Sequence, residues 1–432
     1  MALAMQRRHT SDRVDVMRMS ALRHWGVPAA TATAGVVMAV LVGHDGTLAW
    51  QLARVAGVAA LTVAVIALEA RVGERGCGRL AVGVGVVVLA VGLGFMPHVA
   101  KDALSLEAFA GTVAVACGVV LVAAGTIVAT RGCRAIWRIL AVVSSILLAA
   151  IVAFVVGPAV AATNVPRPGI GATPASSGLA YESVTLATDD DVRLAAWYVA
   201  STNRAGVILL HGAGSTRSTV LDEAAVLAGH GFGVLLVDAR GHGDSGGRAM
   251  EFGWHGDADI DAATRFLANR PEIDRQRIGV VGMSMGGEEA LGASATNELL
   301  RAVVAEGATA RSARDEAWLS DEYGFRGLVQ EQLERIQDWV TDPLTSASTP
   351  TSGRAAVEVS GDTRYLLITA GDVVDEAHAA AYVAAAAPDR VETWAVPAGG
   401  HTEGLQTAPE EWEARVVGFL SDSLGVTGEA PA

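Results

Sequence analysis

Five apolar stretches fill most of the first 164 residues, at about 27–43, 50–69, 79–97, 108–130 and 136–162. Each approaches the roughly 20 residues that a helix needs to cross a hydrocarbon layer. Val, Ala, Leu and Gly lie on every face of these stretches rather than along one stripe, which suits lipid better than a soluble core. A backbone surrounded by lipid has no water to satisfy its N–H and C=O groups, so it must close its own hydrogen bonds as helices. A soluble bundle would need polar faces that these stretches lack. The expectation is a membrane domain over residues 1–163 with about five spans.

Charge divides the chain at the same place. Residues 1–164 hold 13 Arg+Lys against 7 Asp+Glu, and the remainder holds 19 against 39. The acidic second part has nothing with which to neutralise phosphates, so nucleic acid is not an expected partner. Basic residues also alternate loop by loop. Arg7, Arg8, Arg13, Arg18 and Arg23 precede the first stretch, and 43–47 has no Arg or Lys. Arg71, Arg75 and Arg79 follow the second stretch, Lys101 stands alone after the third, and Arg131, Arg134 and Arg138 precede the fifth. Positive loops face the cytoplasm, so five spans leave the acidic part outside it, in a multi-pass protein of the cell membrane. The stretches carry no signature of a transport path, and the bundle reads as an anchor to the bilayer. All three cysteines (Cys77, Cys117, Cys133) lie here, which leaves the second part without disulfide or zinc-thiolate chemistry.

Residues 164–180 are rich in Pro, Gly and Ser and read as an extended linker. From Tyr181 onward the pattern changes to short strands alternating with helices. Strands are expected at Tyr181–Ala187, Val192–Ala200, Gly206–Leu210, Gly233–Asp238, Arg277–Gly282, Ala302–Glu306, Tyr365–Ala370 and Glu392–Val396. Helical patterns fall at about 218–230, 255–270, 286–298, 376–387 and 409–424. Two leading strands followed by strict alternation give an α/β domain over 181–425, with a mostly parallel eight-stranded sheet covered on both faces.

The domain is organised around Arg277-Ile-Gly-Val-Val-Gly-Met-Ser-Met-Gly-Gly287. A β-branched run breaks at a sharp turn and a helix follows, with Ser284 at the apex and Gly282 and Gly286 two residues to either side. A serine hydroxyl becomes a useful nucleophile only when it is projected beside a base, and the flanking positions must be small because strand and helix pack closely. After this turn the sequence contains only His378 and His401 as histidines. His378 falls inside a helical pattern. His401 follows a strand and the turn Pro397–Gly400, on a loop able to lean over Ser284, and is the expected base. The acid that orients it should leave the end of strand Tyr365–Ala370, where Asp372, Asp375 and Glu376 compete; Asp375 is favoured and Asp372 is next. The turn His211-Gly-Ala-Gly214 frees backbone N–H groups at the end of another strand. The N–H groups of Ala213 and Met285 are the expected oxyanion donors.

With these motifs in this order, the chain from about Tyr181 onward resembles the α/β-hydrolases of the serine aminopeptidase and esterase-like kind. The resemblance rests on His211-Gly212, on Asp238-Ala-Arg-Gly-His-Gly-Asp-Ser245 after the fourth strand, on the Gly282–Gly286 turn and on Gly400-His401. It implies Ser284 as nucleophile, His401 as base, an acid within 372–375 and the same two oxyanion donors. The common form places its aspartate where this chain has Val374. The resemblance also implies a lid at about 308–361, where Trp318, Tyr323, Phe325 and Trp339 point either to an apolar acyl pocket or to packing of the lid onto the domain. Gly241-His-Gly-Asp-Ser-Gly246 matches a dinucleotide pattern as well, but no long helix is expected to open there. Asp238 and Arg240 are expected to tie loops beneath the site. The expected activity is that of a serine hydrolase without cofactor or metal. It would cleave an ester through an acyl-enzyme, with a small-molecule, lipid or peptide acyl substrate. An amide-cleaving peptidase, or a receptor that kept the fold, are the alternatives.

Overall fold

The computed structural model describes residues 26–42 and 48–426. It divides into two compact units at Asn164/Val165. The first is helical: α1 (Val27–Val42), α2 (Leu48–Arg71), α3 (Glu74–Gly94), α4 (Met96–Lys101), α5 (Leu106–Ala129) and α6 (Ala135–Thr163). Among the described residues four helices, with α3 and α4 taken together, are long and apolar enough to cross a membrane, whereas α1 has 16 residues. Each of the five expected stretches is thus largely helical over its described residues, and four of them belong to helices of full spanning length.

The packing of α3 against α5 has a simple origin in the sequence. Gly78, Gly85 and Gly92 recur every seven residues on α3, as do Gly111, Gly118 and Gly125 on α5. A Cβ added at Gly85 would lie 2.7 Å from Leu121 Cβ, and one at Gly118 would lie 2.6 Å from the Leu89 nitrogen. One at Gly125 would meet the Gly78 carbonyl oxygen at 2.6 Å. The two backbones therefore touch along a seam that only glycine permits. In lipid, where apolar side chains gain little by leaving their surroundings, close backbone approach is a main source of helix association. Near the end of α2, the Thr31 hydroxyl donates to Glu69 Oε1 at 2.9 Å, which pairs the one acid among the expected apolar stretches.

The second unit is a doubly covered sheet. Its strands are β1 (Glu182–Ala187), β2 (Arg193–Val199), β3 (Gly206–Leu210), β4 (Gly233–Val237), β5 (Ile278–Met283), β6 (Leu300–Glu306), β7 (Arg364–Ala370) and β8 (Val391–Val396). Their spatial order is β1-β2-β4-β3-β5-β6-β7-β8, in which β2 runs antiparallel to β1 and β4 and every other pairing is parallel. This is the α/β-hydrolase fold. Side chains alternate between faces along a strand, so Ile208, Leu210 and Val280 feed one core while Val207, Leu209 and Val281 feed the other. Because both faces are covered, β3, β4 and β5 are buried throughout, which explains their unbroken apolar runs. The helices are α7 (Leu221–Gly229), α8 (Gly256–Ala268), α9 (Met285–Ala293), α10 (Leu319–Tyr323), α11 (Phe325–Thr341), α12 (Gly353–Val359), α13 (Val374–Ala384), α14 (Gly404–Thr407) and α15 (Pro409–Leu424). β3 lies between β4 and β5, so the chain order reverses beside it. The crevice at the carboxyl ends of such strands is where open α/β sheets bind ligands.

Residues 165–180 do not form the extended tether that their composition suggests. Pro174–Ser177 is a short 3-10 turn, Pro174 is buried, and Ile170 and Leu179 pack on the domain core. Arg167 donates to the Ser245 carbonyl and, at 2.9 Å, to that of Gly247. Three apolar side chains and a guanidinium that finds carbonyl acceptors outweigh the looseness of the Gly and Ser residues around them.

Candidate active site

Ser284 sits between β5 and α9 with φ 52° and ψ −119°, a strained backbone for a residue with a side chain. The strain is held from both sides. The Ser284 N–H donates to the Glu306 carbonyl at 2.7 Å, and its own carbonyl accepts from the N–H of Gly287 at 2.9 Å. A Cβ at Gly282 would lie 2.2 Å from the Gly286 oxygen, and one at Gly286 would lie 2.7 Å from Leu210 Cβ. The small flanking residues are thus a steric requirement of the turn.

His401 lies on the loop between β8 and α14. Its Nε2 is 2.9 Å from Ser284 Oγ, and its Nδ1 is 2.6 Å from Glu376 Oε1. Ser284 and His401, 117 positions apart, therefore meet above the ends of β5 and β8. The hydrogen bond to Glu376 pushes the imidazole pKa upward, against a smaller opposing effect of burial, and the charges of Glu376, Glu288 and Glu306 add to the rise.

The acid is where the sequence reading needs correction. The carboxylate at His401 belongs to Glu376; Asp375 and Asp372 are both exposed. Asp375 instead accepts from the Tyr323 hydroxyl at 2.5 Å. Neighbouring positions on a helix point about 100° apart, so on the first turn of α13 only one of the pair faces the sheet. Helical side chains lean toward the N-terminus, and the longer glutamate reaches back over the end of β7. There its Oε2 accepts from the Ala370 N–H at 2.7 Å. Glu376 is 1 % exposed. The sequence signal was present, because Glu376 occupies the third position of a helix whose fourth and seventh apolar neighbours, Ala380 and Val383, are buried; spacing from the strand end outweighed it.

Glu306 was not singled out from sequence. Its side chain is 3 % exposed, and accepts from the Gly404 N–H at 2.7 Å and from Trp412 Nε1 at 2.9 Å. One residue thus holds the N–H of Ser284 by its carbonyl and the segment after His401 by its carboxylate. Its neighbour Gly307 has φ 68°, and a Cβ there would lie 2.8 Å from His401 Cε1. A glutamate ending the apolar run Ala302–Ala305 is the signal that could have found it.

The turn after β3 stands against the nucleophile: a Cβ at Gly212 would lie 3.2 Å from Ser284 Cβ. Met285 begins α9, where first-turn N–H groups have no intrahelical acceptor. Two imidazoles fix the turn. His211 Nδ1 donates to the Gly212 carbonyl at 2.8 Å while its Nε2 accepts from the Ala239 N–H at 3.0 Å. Burial lowers the His211 pKa to about 4, so this ring is neutral. His242 Nε2 accepts from the Gly214 N–H at 3.1 Å. Beneath them Asp238 accepts from the Arg217 guanidinium, from the Arg217 N–H at 2.8 Å and from the Asp244 N–H at 2.9 Å. Arg240 joins Asp190 to Asp259, the latter at 2.6 Å. No long helix opens after Gly241, which disposes of the dinucleotide pattern.

A cavity of about 430 Å³ opens at Ser284 and His401, walled by Gly212, Ala213, Glu223 and Gln406 among others. None of the lid aromatics lines it. Trp318 is buried and stacks on His378 with ring centroids 5.3 Å apart, whereas Phe325 and Trp339 are 81 % and 76 % exposed. Of the two readings of these aromatics, the structure gives Trp318 to packing, and the cavity wall is built from other residues.

Residues 201–347 match the family described as serine aminopeptidase, S33. An uncharacterized protein of Mycobacterium tuberculosis is 35 % identical over 130 residues, covering 29 % of this chain and 46 % of that protein. An uncharacterized membrane protein of Saccharomyces cerevisiae is 31 % identical over 121 residues, covering 28 % and 42 %. The match thus spans less than half the length of either relative. Among solved structures, an esterase of Pyrococcus furiosus superposes with a TM-score of 0.49 and 25 % identity, covering 61 % of this chain and 98 % of that one.

Proposed function

We propose that this chain, a member of the α/β-hydrolases with a serine aminopeptidase family match over residues 201–347, is a membrane-anchored serine hydrolase that cleaves a carboxylic ester. The observation that carries this reading is the hydrogen-bond chain from Ser284 Oγ through His401 to Glu376. Ser284 Oγ attacks the scissile carbonyl while His401 Nε2 takes its proton. The Glu376 carboxylate holds the Nδ1 proton and stabilises the imidazolium that forms. The N–H groups of Ala213 and Met285 receive the oxyanion. His401 then gives its proton to the departing alkoxide, leaving an acyl-enzyme, and the same base activates the water that hydrolyses it. Amide cleavage is the second reading, favoured by the description of the matching family.

The helices α2 to α6 anchor the enzyme, and with α1 as a fifth span the loop charges leave the hydrolase domain outside the cytoplasm. Fluorophosphonate labelling and ester turnover of the full chain in detergent, wild type against Ser284→Ala, test the catalytic reading. Both are expected to vanish in the variant, and unchanged labelling refutes it.

A further inference from the structure

The helical unit holds a space that its own side chains leave unfilled. Residues of α1, α2 and α3 line a cavity of about 460 Å³, within the roughly 300–1,000 Å³ of sites that take small molecules. The helices around it are tightly joined elsewhere. α2 presses on α1, where a Cβ at Gly35 would lie 2.3 Å from Thr62 Oγ1, and α3 presses on α5 along the glycine seam. Gly83 of α3 lines the cavity, and a Cβ added there would meet nothing within 4 Å. Unlike Gly85 and Gly92, it is demanded by no neighbouring backbone, and glycine is unfavourable inside a helix. Packing between the helices does not account for this opening.

The wall chemistry is of two kinds. Over most of its length it is hydrocarbon, with Met38, Leu61 and Val87 among the lining side chains. Its two hydroxyls are already engaged, since Thr31 donates to Glu69 and Thr62 donates to the Val58 carbonyl at 2.7 Å. A polar ligand would therefore find no free group along the wall. At one end stands Arg79, the only charged residue of the lining. It is exposed, and its guanidinium has no partner among the described residues. No Asp or Glu lines the cavity; Glu69 is 2 % exposed and occupied with Thr31.

The ends can be ordered. The Thr31–Glu69 bond joins the start of α1 to the last turn of α2, and only two residues separate α2 from α3. Arg79 thus lies at that polar end, while Val88 lies nine residues deeper on α3. At 1.5 Å per residue this is about 14 Å, close to half of the roughly 30 Å hydrocarbon layer. The cavity has the length of one leaflet, a cation at its headgroup end and hydrocarbon below.

We propose that this cavity is a binding site for an anionic phospholipid, with one acyl chain along Gly83 and Val87 and the headgroup phosphate on Arg79. Basic pockets between spanning helices recognise lipid headgroups in this way. The proposal rests on the helical unit lying in a bilayer and is independent of the hydrolase reading.

The test titrates the delipidated full chain in detergent with phosphatidylglycerol or phosphatidylcholine of identical chains, read by native mass spectrometry. The wild type is expected to hold one phosphatidylglycerol per chain, with an affinity about fivefold above that for phosphatidylcholine, the effect of one basic residue on an anionic lipid. Arg79→Gln should bring this ratio toward one, whereas Arg75→Gln, outside the lining, should keep it. Gly83→Leu fills the space from a position where nothing clashes, and should abolish the one-to-one complex with both lipids. If that variant does not fold, Leu61→Trp, from the opposite wall and at a site 66 % exposed, must do the same. Equal wild-type affinities, or equal effects of the two arginine variants, overturn the headgroup assignment. Lipid binding unchanged in the filled variants, or a dimer that they dissociate, overturns the site, the latter by giving the cavity to a second copy of the chain.

Discussion

Glycine does opposite work in the two units. Along α3 and α5 it is repeated every seven residues and removes side chains so that two backbones touch over a long seam. In the α/β domain the decisive glycines are clustered at one turn, where Gly282 and Gly286 clear space for a single strained residue, Ser284. The first arrangement spreads its close approach over many contacts, the kind of packing that associates helices where lipid solvates apolar side chains. The second concentrates strain at one point and relies on the surrounding sheet, buried on both faces, to sustain it. Repetition therefore marks packing, and an isolated cluster marks chemistry.

Substitutions in each unit can break that contrast. The largest effect is expected from Ser284→Ala: a loss of the order of 10⁴-fold or more in kcat/KM, with the thermal unfolding of the helical unit unmoved. Next, Glu376→Gln should lower kcat/KM by roughly 10²- to 10⁴-fold, as when the group orienting a catalytic imidazole loses its charge. Asp375→Asn, whose partner is Tyr323, should change it by less than about threefold, within the range of a surface substitution. Equal effects of these two variants would return the acid to the position favoured from sequence.

Gly85→Leu should destabilise the helical unit by about 1–3 kcal/mol, the usual penalty of overpacking, read as earlier thermal loss of helical circular dichroism in detergent. Turnover per fluorophosphonate-labelled site should stay as in the wild type, since the two units are separately compact. A fall in turnover at intact labelling would mean that the seam matters to the chemistry. The smallest effect concerns pH. A base must be neutral to accept a proton, so kcat/KM should rise with pH through the His401 pKa, which lies above the ordinary histidine value of about 6.5. Removing the Glu376 charge withdraws the largest cause of that elevation, and the residual activity of Glu376→Gln should rise at lower pH than in the wild type. A limb that does not move would detach the imidazole from this carboxylate.

Much of the architecture was legible in the residues. All eight strands and the five expected helices fall within about five residues of where periodicity places them, because each β-branched run is bounded by glycine or by a polar turn, whereas α10, α11, α12 and α14 were not expected. Ser284 and His401 were legible for chemical reasons: a nucleophile needs a tight turn, and the chain after it offers few histidines. The glycine repeat at 78, 85 and 92 was equally open to inspection, but hydropathy alone does not distinguish a helix that faces lipid from one that faces a neighbour. Linker composition misled in its turn, since Pro174 and Ile170 found a surface to cover that composition does not reveal.

Local order along the chain was determined by the sequence itself: where it turns, which runs are strands, which stretches suit lipid, and which serine stands at an apex. Those properties depend on neighbours a few positions away. Only the tertiary structure decided that Glu376 rather than Asp375 meets the imidazole, that Glu306 holds the base loop, and that Glu223 is among the residues lining the cavity. Each of these depends on the direction in which a helix or strand end presents one side chain to a partner tens to hundreds of residues distant. That direction is set by packing against the sheet, a relation that no local pattern encodes.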